Sequence, residues 1–243
     1  MTGQRQGHKK FVIVSSARSA TTLLKETLAT HPDVLIHGEV FHEKSEWHIH
    51  PEFASGHDIT RRETDPVGFV REILDTPLGR KSVGFKMWRN QSEPACAYVL
   101  GDREVTKIIL ERTNRLAALS SGLLAEKTQV WNVRQTWRRG HPDAESLEYE
   151  RGMLPKFVKY HDELFSYYRS HARGKVVDIT YADVVRFDIP EVIEELDLKG
   201  FPFRLQLKKL HSANIIGRFA ASSRELVRSD LFEIGHPEWE QEE

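Results

Sequence analysis

The sequence predicts an α/β fold with a mainly parallel central sheet flanked by helices. Three observations carry that expectation. Short runs of β-branched and aromatic residues alternate with stretches of helical period, as βαβ units require. Each apolar run is too short to be a helix and is bounded by polar or turn-forming residues. No repeat or low-complexity linker divides the 243 residues, so one domain spanning 1–243 is the simplest organisation.

The elements follow in order. Phe11–Val14, Val83–Trp88, Val105–Leu110 and Lys175–Ile179 read as buried strands. Thr21 to Thr30 carries Leu23, Leu24 and Leu28 and is stopped by His31-Pro32. Pro66 to Thr76 places Val67, Val70 and Leu74 on one side, and "DTPLG" ends it. Arg115 to Lys127 carries a stripe of Leu116, Leu119, Leu123 and Leu124. Ala144 to Arg173 is long and periodic, with a break expected near Gly152 to Pro155. Pro190 to Leu196 and Ser222 to Leu231 are shorter helices. Residues 37–62, rich in His, Glu and Ser, show no clean period and read as a long acceptor-side loop. Residues 236–243, "HPEWEQEE", read as an acidic, frayed tail.

Composition narrows the function classes. A formal net charge of −1 leaves no basic excess for general binding of nucleic acid or membrane surface, so any anion site must be a local concentration of cations. Cys96 is the only cysteine, which excludes an intrachain disulfide and a cysteine-based zinc site. No run approaches the roughly 18 apolar residues of a spanning helix. The short apolar run after the basic start is broken at Ser15, so a signal peptide is not expected and the cytoplasm is the default location.

The most informative stretch is "FVIVSSARSATTLLKETLATHP", residues 11–32. A strand that ends in a small-residue turn and feeds a helix presents free backbone N–H groups and the positive end of the helix dipole. Such a turn suits phosphate or sulfate. Ser19, Thr21 and Thr22 add hydroxyl donors, and Arg18 adds a planar full charge. The residue-level alternative is a Ser/Thr-capped helix with an exposed Arg. The ATP-type signature GxxxxGK[ST] is absent.

"RSATTLLKETLATHPDV" resembles the first signature of the sulfotransferases that use 3′-phosphoadenosine 5′-phosphosulfate (PAPS): a basic residue, Ser, Gly, Thr, Thr, a leucine-rich helix and His-Pro. Ala20 stands where that family usually has Gly, which predicts a negative φ at Ala20 and a slightly recast loop. A second stretch, "VTKIILERTNRLAALSSGLLA", resembles the family's 3′-phosphate site, in which an Arg at a strand end precedes a Ser by eight positions, here Arg112 and Ser120. Read from residues alone, Ser120 is equally a small helix-packing serine that bonds its own backbone. "DITYADVV" and "KKLHSANIIGRF" echo later family segments, and the second brings Lys208, Lys209 and Arg218 near the end of the chain.

The resemblance implies a P-loop-NTPase-like sulfotransferase architecture and a set of roles. Arg18 would stabilise charge on the bridging oxygen, with Ser19, Ala20, Thr21 and Thr22 around the 5′-phosphosulfate. Arg112 and Ser120 would take the 3′-phosphate, and Arg218 would lend charge to the phosphates from a late loop closing over the nucleotide, as would Lys208 and Lys209 unless they are a solvated basic loop. "HPDVLIHGEVFH" resembles a segment of the bacterial, carbohydrate-directed (nodulation-factor-like) branch in which the Glu after Gly is the general base, here Glu39. His42 and then His37 are rival bases, since imidazole titrates near neutrality. Lys86 in "VGFKMW" is a phosphate or acceptor ligand by the same resemblance, and a surface lysine otherwise.

The expected activity is transfer of a sulfuryl group from PAPS, as co-substrate, to a hydroxyl of a carbohydrate or glycolipid. No metal is expected: His48, His50 and His57 space like ligands but lack a cysteine or clear carboxylate partner. No nucleic-acid partner or integral membrane association is expected. Trp47, Trp131 and Trp137 are candidates for stacking on adenine or a sugar, or simply for the core. Two other classes compete. An ATP-dependent phosphotransferase would use Glu111 at a strand end to hold Mg²⁺, and a catalytically silent nucleotide-binding protein would keep the Arg112–Ser120 site alone.

Overall fold

The structure, a computed structural model, describes residues 7–43, 48–131, 147–204 and 214–242. Two compact units share the chain: Met1–Ser16, Ala20–Glu111 and Phe165–Gln206 form the first, and Ala17–Ser19, Arg112–Leu164 and Leu207–Glu243 the second.

The first unit is built on a five-stranded, all-parallel sheet in the order β2-β3-β1-β4-β5. The strands are β1 (Lys9–Ser15), β2 (Val34–Glu39), β3 (Ser82–Met87), β4 (Val105–Glu111) and β5 (Val176–Thr180). Helices, in chain order, are α1 (Thr21–Leu28), α2 (Pro51–Ala54), α3 (Arg61–Thr64), α4 (Pro66–Asp75), α5 (Glu93–Gly101), α6 (Arg115–Thr128), α7 (Met153–His171), α8 (Tyr181–Arg186), α9 (Pro190–Glu195) and α10 (Ala221–Glu233). The sheet is buried through its middle because both faces of a parallel sheet are covered. Phe11 and Ile13 of β1 join a cluster with Leu24 and Leu28 of α1, Val184 of α8 and Val192 of α9. Val12 and Val14 alternate to the opposite face and are as fully buried. Each such side chain contributes about 1.5–3 kcal/mol over its exposed state.

The second unit packs α6, α10 and the start of α7 around Leu116, Leu119, Leu154, Phe219, Val227 and Leu231. Its polar anchor is Asp230, fully buried, whose carboxylate accepts from the Tyr149 hydroxyl and, at 2.7 Å, from the Gly152 N–H.

Several elements differ from expectation. The strand β2 lies inside a stretch whose His37-Gly38 pair interrupts the apolar run, and Glu39, in the expected loop of 37–62, ends it. The short helices α2 and α3 lie in that same stretch. The helix α5, "EPACAYVLG", has no clean stripe and so no amphipathic signature; it is capped by Ser92 and buries Ala95, Cys96, Val99 and Leu100. The long helix starts at Met153, just inside the expected break, while 144–146 lie outside the described residues. Segment 236–242 is not frayed: Pro237–Glu240 forms a 3-10 turn, and Gln241 bridges to Asn214. Among the described residues no helix is long and apolar enough to cross a membrane.

The edge strand β2 carries a buried titratable group with a measurable consequence. His37 is fully buried; its Nδ1 accepts from the His50 N–H at 3.1 Å and its ring meets Phe53 edge-on at 5.3 Å. Burial, then the nearby His50 and Lys25, push its pKa from 6.5 down to about 3. The unfolded chain therefore takes up a proton below pH 6.5 that the folded chain refuses until about pH 3. The stability this provides is complete above pH 6.5 and lost as the pH falls through that window. Urea titrations should show wild type losing about 3 kcal/mol more than His37→Gln between pH 7 and pH 4. Parallel curves for the two proteins would refute the assignment.

Candidate functional site

Strand order reverses at β1, which has β3 on one side and β4 on the other. In open α/β sheets ligands bind outside the carboxyl ends of strands at such a switch point. Here that is the turn from Ser15 to Ala20. Its start is held firmly: Ser15 Oγ donates to Leu110 O at 2.5 Å, and Tyr168 OH donates to Ser15 O at 3.0 Å. The same Tyr168 oxygen accepts from the Arg89 N–H at 3.0 Å.

The turn is tighter than its sequence suggests. Arg18 has φ +66° and Ala20 φ +64°, both left-handed. The negative φ expected at Ala20 is thus overturned. Alanine adopts the conformation glycine takes freely, at a cost of about 1–2 kcal/mol from its Cβ. A chain that must leave a strand and start a helix in five residues has few other paths. A left-handed residue is one half of the pairing with a right-handed one by which successive N–H groups form an anion-binding concavity. Ala20 also opens α1 without a side-chain cap, so the Ser/Thr-capped alternative does not describe this helix start.

In the first unit, side chains gather at the carboxyl ends of β2 and β3. Glu39 and Lys86 are register partners across the two strands. Lys86 Nζ lies 3.0 Å from Glu39 Oε1, 3.0 Å from Thr22 Oγ1 and 3.4 Å from Thr21 Oγ1. Gln91 Nε2 donates to the other carboxylate oxygen, Oε2, at 2.9 Å. Burial lowers the Lys86 pKa, and Glu39 opposes that shift. Lys86 is only 4% exposed, so the surface-lysine alternative does not describe it. Gly38 is needed for close approach: a Cβ there would sit 2.8 Å from His48 Nδ1, and its N–H donates to His48 O at 2.6 Å. His42 follows in the same turn, its N–H donating to Glu39 O at 2.9 Å and its ring 4.9 Å from that of His48. The rival base His37 is enclosed in the core and has no route to a substrate.

In the second unit four arginines from three separate stretches of the chain gather at the start of α6. Asn114 caps the helix through Oδ1 on the Ala117 N–H at 2.9 Å, which fixes its first turn. Arg112 and Ser120 thereby stand at set positions before and within it. Arg112 Nη1 donates to Arg18 O at 3.0 Å, joining the end of β4 to the turn. Arg18 itself reaches Ser121 Oγ at 2.9 Å and Trp131 O at 2.6 Å. Arg218 Nη1 donates to Ser120 Oγ at 2.9 Å, and that hydroxyl bonds Ala117 O at 3.2 Å. Arg115 backs the group, donating to Arg112 O at 2.8 Å and pairing with Asp162 at 3.3 Å. Into this cluster comes Glu242. Both of its oxygens lie 2.5 Å from Arg112 Nη2, and one is 3.7 Å from Arg218 Nη2. Arg112, Ser120 and Arg218 are all nearly inaccessible, at 5%, 0% and 2% exposure.

Arg112, Ser120 and Arg218 are thus brought together, as are Thr21 and Thr22 with Lys86 and Glu39. Ser19 is fully buried in the turn. Trp131 joins through its carbonyl, and the residue is 43% exposed. Sequence reasoning missed Glu242, Gln91 and Ser121. Only Ser121, next to Ser120, had a local signal. The His spacing does not make a cluster: His57 stacks on Phe53 at 4.0 Å, and no group of three His, Cys, Asp or Glu side chains among the described residues is placed to hold a metal. Trp47, Trp137, Lys208 and Lys209 lie outside the described residues.

Comparison with known proteins found no matching family model and no matching curated protein. The functional reading therefore rests on the chemistry of these side chains.

Proposed function

We propose that the protein is a PAPS-dependent sulfotransferase acting on a hydroxyl of a carbohydrate or glycolipid. One observation carries the reading: Arg112 and Arg218 converge on a carboxylate, with Arg218 braced by the Ser120 hydroxyl. Two guanidinium groups closing on an anion form a built anion site, and a terminal phosphate monoester fits its donor set. In this reading that site takes the 3′-phosphate of the nucleotide. The donor supplies an activated sulfuryl group on its 5′-phosphate. By the sequence resemblance, the loop from Arg18 to Thr22 would receive the 5′ end, with Arg18 neutralising charge left on the phosphate.

Glu39 takes the proton of the acceptor hydroxyl. Lys86 and Gln91 hold one lone pair on each carboxylate oxygen and leave others to accept. The acidic residue a Mg²⁺-dependent kinase would need, Glu111, is instead paired with Arg169 at 2.6 Å, which favours sulfuryl over phosphoryl transfer. Calorimetric titration at fixed salt tests the donor site. Adenosine 3′,5′-bisphosphate should bind at least tenfold more tightly than 5′-AMP or ATP, a difference of about 1.4 kcal/mol. Equal affinities would end the reading.

A further inference from the structure

The expected site for a phosphate already holds a carboxylate of the chain itself. None of Pro237–Glu240 is buried, yet the Glu242 side chain just beyond is only 8% exposed. The segment packs a partly buried Trp239 on the core of the second unit, and beyond it buries a charge, which is costly unless the receiving groups are already cationic and in place. Besides Trp239, an ion pair between Glu240 and Arg228 at 3.1 Å and several hydrogen bonds hold it. Ile215 N–H donates to Glu240 O at 2.9 Å, and Asn114 Nδ2 donates to Gln241 O at 2.8 Å and Trp239 O at 3.3 Å.

We propose that Glu242 is a built-in competitor for the Arg112–Arg218 anion site, so that segment 236–242 must swing away before a phosphate monoester binds there. The proposal rests on the nucleotide reading above for the identity of the ligand, but not for the competition. A phosphate monoester carries about −1.5 to −2 charges and three acceptor oxygens against one charge and two oxygens for Glu242. Arg112 and Arg218 therefore hold it more strongly than they hold the carboxylate. While Glu242 is seated, the affinity of the site is reduced by the fraction of molecules in which it is open. The segment is in this sense a gate, opened by ligand and closed by its own glutamate.

The test is calorimetry on the full chain, wild type against Glu242→Ala and Glu242→Gln, with three probes: adenosine 3′,5′-bisphosphate, 5′-AMP and inorganic pyrophosphate. The bisphosphate should bind at least tenfold more tightly to both variants, and 5′-AMP should bind all three proteins alike. A gain confined to pyrophosphate would support the competition and overturn the nucleotide reading. A bisphosphate preference that is the same in wild type and variants would support the nucleotide reading and overturn the competition, as would any loss of affinity in the variants. Hydrogen exchange on wild type gives a readout independent of the substitutions. Saturating bisphosphate, or pyrophosphate if the nucleotide does not bind, should speed exchange of the Ile215 amide, whose bond to Glu240 must break. Unchanged exchange on saturation would overturn the gate.

Discussion

An Arg112→Ala variant is expected to lose roughly 10²-fold or more in affinity for adenosine 3′,5′-bisphosphate while its affinity for 5′-AMP is unchanged, since a desolvated charge-assisted contact is worth about 2–5 kcal/mol. The same change should weaken the fold. The side chains of Arg112 and Glu242 are 6% and 8% exposed, and removing one partner of so buried a pair costs about 3–5 kcal/mol. The two effects come apart in the Arg112→Ala/Glu242→Ala double variant. Deleting both charges should restore most of the melting temperature, because no carboxylate is left buried without its closest cation. It should still bind the bisphosphate far more weakly than Glu242→Ala alone, because the phosphate partner is missing. Double-variant affinity equal to that of Glu242→Ala would show that Arg112 does not hold the 3′-phosphate, whatever it does for stability.

The second large effect concerns Glu39. With an acceptor in hand, Glu39→Gln should lower turnover by roughly 10²–10⁴, the usual contribution of a positioned base, with donor affinity nearly intact. The sign of the pH dependence follows from the role: the carboxylate must be ionised to accept a proton, so wild-type turnover falls on the acid side. That limb should vanish in the variant. Survival of the acid limb would move the role to His42, whose N–H is tied to Glu39 O at 2.9 Å. The substitution also leaves the Lys86 ammonium facing a neutral amide, and Lys86 is 4% exposed. Adding Lys86→Met should recover stability lost in Glu39→Gln but none of the turnover. A double variant with both recovered would mean the pair serves the fold alone.

The route from sequence to this site was uneven. The strand, turn and helix of residues 9–28 were legible because each is a local pattern: apolar run, small polar residues, leucines at helical spacing. Arg112 and Ser120 were legible for the same reason, since eight residues and one capped helix start separate them. Ala20 was misread in detail. A rule about side-chain preference predicted negative φ, and the demands of the turn prevailed at a modest strain. The strand β2 and helix α5 were missed because a histidine-glycine pair and an even spread of small apolar residues erase the periods by which elements are recognised.

The sequence by itself determined an α/β chain, its parallel strands, a hydroxyl-rich turn carrying an arginine, and an Arg–Ser pair at helical spacing. All of these depend on residues a few positions apart. Only the tertiary structure decided that Lys86 and Glu39 are register partners across two strands, that Arg218 donates to Ser120, and that Glu242 sits on Arg112. Those pairs are separated by 47, 98 and 130 positions, read as the differences of their residue numbers. No local period encodes such a meeting. It follows from strand register and from the chain's return to α6, and the burial of both partners then converts a loose attraction between charges into a specific contact.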